Sequence, residues 1–158
     1  MGEVYGQDCR EDMRIVAIAE QNELPLVEKY IADYDRIVIT GVGGTNVIKA
    51  LLSYPRTSHI INIGYAGSGT IPKGCAVRVK DVSLFHKVCD YDEPIMHLAD
   101  EGVHCYTSCD FVGDKERENS VFDMELAFIA AMGFRKVESI KVISDCIDYA
   151  EYCKTINR

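Results

Sequence analysis

The chain has 158 residues, 47% of them hydrophobic, and 25 Asp+Glu against 17 Lys+Arg leave a formal charge of -8. That length and apolar content suit one sizeable core, so a single domain over 13–158 is expected behind a loose N-terminal extension at 1–12. The acidic balance speaks against a nucleic-acid backbone or an anionic membrane as partner, and no apolar run reaches the roughly 20 residues of a spanning helix.

Met13 to Ala19 is a β-branched apolar run and reads as a first strand. Glu23 follows in a loop, and Leu24 to Tyr34 has helical spacing with Pro25 at a tolerated early position. Arg36 to Thr40 is a second strand running into Gly41-Val42-Gly43-Gly44, after which Thr45 or Asn46 caps a helix to about Ser53. His59 to Ile63 is a third strand that ends in the glycine cluster from Gly64 to Gly69, and Ala76 to Phe85 a fourth. Residues 86–102 are polar, and Pro94 suggests a loop or brief helix. Val103 to Val112 is β-rich, and Phe122 to Met132 is helical with Asp123 and Glu125 in its first turn. Val137 to Ile143 is a strand, and Asp145 to Ile156 a closing helix. The strand–glycine turn–helix order predicts an α/β fold with at least part of the sheet parallel.

Seven cysteines at scattered spacings, with no Cys-x-x-Cys, read as reduced and mostly buried small hydrophobes. His97, His104, Cys105 and Cys109 carry donors zinc could use, but without the paired spacing of a structural site, so no metal is expected. Gly41 to Gly44 is neither a dinucleotide fingerprint, since position 46 is Asn46, nor a P-loop. The N-terminus lacks a basic start and an apolar h-region, so the cytoplasm is the expected compartment.

The most specific feature is a pair of carboxylates, Glu125 at a helix start and Asp145 at a strand end. Ligands gather beyond the carboxyl ends of strands in open α/β sheets, where Glu23 and both glycine clusters also fall. Two acids so placed could hold a sugar and protonate a leaving group. Bland readings stand beside that one: Glu125 as a helix N-terminal anion, Asp145 as an N-cap and Glu23 as a solvated loop residue.

In combination and order these segments resemble the purine nucleoside/uridine phosphorylase superfamily, and within it the methylthioadenosine/S-adenosylhomocysteine nucleosidases. The resemblance rests on Ala19 to Leu24, Thr40-Gly41-Val42-Gly43, Ile61 to Gly67, Ser108-Cys109-Asp110-Phe111, Asp123-Met124-Glu125 and Ile143 to Asp148. It implies a three-layer α/β/α domain with a central mixed, twisted sheet, a purine nucleoside as substrate, no cofactor, and a homodimer or higher homo-oligomer. It also implies roles. Asp145 would protonate N7 of the base, and Glu23 would orient or deprotonate the attacking water. Glu125 would hold the ribose hydroxyls above Met124, with Phe111 or Val112 beside the base, and Ala66, Gly67, Gly43 and Ser144 would complete the binding set.

The chain departs from the family pattern at Tyr65, where a small polar residue is usual, at Cys109, and in a short stretch from about His86 to Val103. The last implies an open pocket, a partner subunit filling the gap, or lost activity. No arginine lies beside either glycine cluster, which favours water over phosphate as acceptor.

Overall fold

A computed structural model describes residues 13–86, 94–111 and 113–156. The expected N-terminal extension and Val112 lie outside them. Among these residues eight strands form one mixed sheet: β1 Arg14–Ile18, β2 Arg36–Ile39, β3 His59–Gly67, β4 Ala76–Leu84, β5 Met96–His97, β6 Val103–Thr107, β7 Ser120–Asp123 and β8 Lys136–Asp145. Four α-helices accompany them among the described residues: α1 Leu24–Tyr30, α2 Gly44–Leu51, α3 Leu126–Ala131 and α4 Tyr149–Ile156.

The strand order is β2-β1-β3-β7-β6-β4-β5, and β8 pairs with both β3 and β4. Strands β3, β7, β6, β4 and β8 therefore form a closed ring, with β1 and β2 as a parallel wing on β3. Closure removes exposed edges from that half of the sheet. It depends on the length of β3, which gives Arg14–Ala17 of β1 its first half and reaches β7 only at Gly67.

The continuous apolar run of β1 is explained by burial on both faces. Ile15 and Ala17 belong to a core shared with Val47 and Leu51 of α2 and with Leu126 and Ile129 of α3. Val16 and Ile18 point the other way, into a core with Leu26 and Val27 of α1. Side chains alternating across one strand thus meet helices on each side, which makes three layers.

Four expectations on local structure are corrected. Phe122 and Asp123, expected in the helix, belong to strand β7 instead, so Asp123 closes β7 and only Glu125 sits at the helix N-cap. Asp145 closes β8, and α4 begins four residues later. Met96–His97, in the stretch read as loop or helix, pairs antiparallel with β4. The first helix stops at Tyr30. In each case pairing with a distant strand, or its lack, outweighed local pattern.

Among the described cysteines only Cys105 is buried, while Cys75, Cys109 and Cys146 are exposed, against the expectation of burial. The residues considered for zinc do not converge. His104 takes Asp81 on Nδ1 at 2.5 Å and Ser83 on Nε2 at 2.9 Å, Cys105 lies in the core, and His97 faces Asp100. Among the described residues no group of three or more His, Cys, Asp or Glu is arranged for a metal. The Asp81–His104–Ser83 array ties β4 to β6 away from the pocket described below, and its serine is buried.

Candidate active site

A cavity of about 320 Å³ opens where the carboxyl ends of β1, β3, β7 and β8 meet. Its lining includes Glu23, Glu125 and Asp145, three acids separated in sequence and brought to one space by the sheet order. Met124, Phe111, Ala66, Gly67 and Ser144 also line it. Gly43 contributes through its backbone, whose N–H donates to Glu125 Oε2 at 2.8 Å.

Glu23 is not a solvated loop residue. It ends a 3-10 turn, Gln21–Glu23, and is 6% exposed. Its carboxylate accepts from the N–H of Ala19 at 2.8 Å, Glu20 at 3.3 Å and Tyr65 at 3.2 Å, so it bridges the ends of β1 and β3. Burial pushes its pKa above the ordinary value, against the field of Lys141 and the three N–H groups. Close approach to β3 requires glycine at Gly64, where a Cβ would fall 2.8 Å from Glu23 Oε1. At Gly67 a Cβ would lie 3.0 Å from Asp145 Oδ2.

Asp145 has no solvent exposure in spite of bordering the cavity. Ser144 Oγ donates to its Oδ1 at 2.5 Å, and the Asp148 N–H donates to its Oδ2 at 3.0 Å. Burial again raises the pKa, although these hydrogen bonds oppose the shift. A carboxyl that keeps its proton to higher pH than a free aspartic acid suits a general acid.

Glu125 is pushed up to about 7, first by burial and then by the charge of Asp123, with Lys141 and the Gly43 N–H opposing. The folded chain binds this proton more tightly than the unfolded one, so the associated stability is present at low pH and lost as pH rises from 4.5 towards 7. Glu125→Gln should therefore gain stability relative to the parent between about pH 5 and about pH 8, by about 2–3 kcal/mol, read from urea unfolding at both.

Beneath these acids lies Lys141, which belongs to none of the sequence motifs above. It is 1% exposed, and its ammonium stands 2.9 Å from Asp123 Oδ2. Burial opposes the charge, but Asp123, Cys105 and Glu125 more than compensate, and the lysine pKa rises. Asp123 is desolvated as well, yet Lys141, the Thr107 hydroxyl and the Leu126 N–H hold its pKa below the ordinary value. Through that Leu126 N–H at 2.9 Å, Asp123 also anchors the first turn of α3, which sets Glu125 at the pocket. A signal was present: Val137, Ser139, Lys141 and Ile143 alternate onto one buried face of β8, and a lone lysine there needs a buried anion.

Helix α4 supplies the remaining wall. Tyr149, Tyr152 and Ile156, at i, i+3 and i+7, line the cavity, and both tyrosine rings pack on Phe111 at 5.3 and 5.4 Å between centroids. Burial, then the field of Glu20, Glu23, Glu125 and Asp145, keeps the Tyr152 phenol protonated. Tyr65 also lines the cavity, while its ring packs partly into the core beside α1.

The sheet order and this strand-end pocket define a nucleoside phosphorylase-like fold, as comparison with solved structures shows. The 5′-methylthioadenosine/S-adenosylhomocysteine nucleosidase of Helicobacter pylori superposes with a TM-score of 0.70 at 12% identity, over 92% of this chain and 91% of that one. Futalosine hydrolase of Helicobacter pylori gives 0.72 at 12% identity, over 94% and 92%. A Chlamydia trachomatis nucleosidase bound to MTA gives 0.70 at 15% identity, over 92% and 89%. Neither a protein-family model nor a curated protein sequence matches the chain.

Proposed function

We propose that the protein is a nucleosidase-type hydrolase that cleaves the N-glycosidic bond of a purine nucleoside such as methylthioadenosine or S-adenosylhomocysteine. The observation that carries this is the convergence of Glu23, Glu125 and Asp145, all with raised pKa, on one cavity at the strand ends.

In this reading Asp145 gives its proton to N7 of the base as the C1′–N9 bond breaks, so the base leaves neutral. Glu125 accepts hydrogen bonds from the ribose hydroxyls, and its negative charge stabilises the oxocarbenium-like sugar. Met124 packs under the ribose, and Phe111 beside the base. Glu23 orients the water that attacks C1′ and takes its proton. Lys141 balances Asp123 and lowers the cost of holding Glu23 and Glu125 in one space.

Water rather than phosphate is the acceptor on this view, because no arginine among the described residues lines the cavity. Arg14 pairs with Asp33, Arg36 lies over Tyr54 and Arg56 over Phe134. Incubation with methylthioadenosine, S-adenosylhomocysteine, adenosine and inosine, with and without phosphate, tests the reading. Free base without phosphate supports it, strict phosphate dependence selects a phosphorylase, and binding without product marks a nucleoside-binding protein.

A homodimer is part of the proposal. Ile39, Val42, Ile48 and Leu52 are exposed on and around α2, and Val42 also borders the cavity. Sedimentation equilibrium at the mass of a single chain would remove it. The cytoplasm is proposed as compartment on the free cysteines, which suit a reducing environment. No helix among the described residues is long and apolar enough to cross a membrane.

A further inference from the structure

We propose that the pocket sorts nucleosides by the charge of the 5′ substituent, accepting neutral and cationic groups and excluding phosphate. This rests on the pocket being a nucleoside site. Six acidic side chains line it, namely Glu20, Glu23, Asp110, Asp123, Glu125 and Asp145, and no Lys, Arg or His does so among the described residues. The ammonium nearest to the acids, on Lys141, is fully buried below the cavity and committed to Asp123 at 2.9 Å. Lys73 is drawn off to Glu151 on the other side of α4, and Arg117 lies over the rings of Tyr106 and Phe85.

Wherever in this cavity the 5′ group falls, it therefore meets carboxylates, aromatic rings and hydroxyls, and no cation. A phosphate monoester binds where guanidinium, ammonium or a cluster of N–H groups is free to donate to it. Here the N–H groups of Ala19, Glu20, Tyr65 and Gly43 are already taken by Glu23 and Glu125. A dianion would also add like charge beside carboxyls that burial already penalises. An ammonium gains from the same field, and the faces of Tyr149, Tyr152 and Phe111 favour it further.

The test uses carbon-linked analogues of adenosine, which the enzyme cannot cleave, with a 5′-hydroxyl, a 5′-amine or a 5′-phosphate. Calorimetry at low ionic strength should rank them amine, hydroxyl, phosphate, with the phosphate at least about tenfold weaker than the hydroxyl and the gaps narrowing as salt is added. Exchanging Glu20→Gln and Asp110→Asn together should reduce the hydroxyl-to-phosphate ratio by about threefold. A phosphate analogue that binds as tightly as the hydroxyl one overturns the charge rule and leaves the nucleosidase reading intact, as does an unchanged ratio in the double variant. Failure of all three analogues to bind overturns both.

Discussion

Asp145→Asn is expected to lower base release by about 100- to 10,000-fold while leaving the fold in place, because it removes the proton and little else. The asparagine oxygen can still accept from Ser144 Oγ or the Asp148 N–H, the two contacts that hold the side chain. Its volume also matches, which matters where Gly67 already runs 3.0 Å from the carboxylate oxygen when a Cβ is imagined there. Unfolding transitions and nucleoside affinity should accordingly stay close to the parent, while the single-turnover rate falls. A variant of full activity would remove Asp145 from the proton-donating role. A variant that unfolds would instead give it a structural one.

The second large effect is on stability. Lys141→Met is expected to cost about 3–5 kcal/mol, since it leaves Asp123 ionised and alone in the core. Methionine replaces the aliphatic stem well, so the loss reports the charge more than the packing. Adding Asp123→Asn should restore a substantial part, because the stranded charge goes while one acceptor oxygen remains for the Thr107 hydroxyl or the Leu126 N–H. The double variant therefore separates the ion pair from the geometry of α3. A single variant within about 1 kcal/mol of the parent in urea unfolding would show that the pair contributes little. The same change should push the pKa of Glu125 and Glu23 higher still, since Lys141 lowers both.

Much of the architecture was legible in the chain because local pattern and tertiary demand agree there. The β1 run, the strand of 76–84 and the glycine turn before α2 have the apolar pattern and punctuation of the elements they form. Agreement failed at Phe122–Asp123. The segment 122–132 is helix-compatible throughout and apolar apart from Asp123 and Glu125, but β6 on one side and the end of β3 on the other offer hydrogen bonds that draw its start into the sheet. The end of β8 failed for the same reason, since Gly67 pairs with Asp145 itself.

At the site, sequence alone placed Glu23 and Asp145 beyond strand ends and Glu125 at a helix start, with a capping or solvated role left open for each. The resemblance to a family is what joined the three into one site. Only the tertiary structure decided their state. Burial, a property of neighbours distant in sequence, raises the pKa of all three. The closure of β8 onto β3 brings Lys141 to Asp123, and the packing of α4 sets Tyr149 and Tyr152 against Phe111. A carboxylate is visible in a sequence; its desolvation and its countercharge depend on the fold.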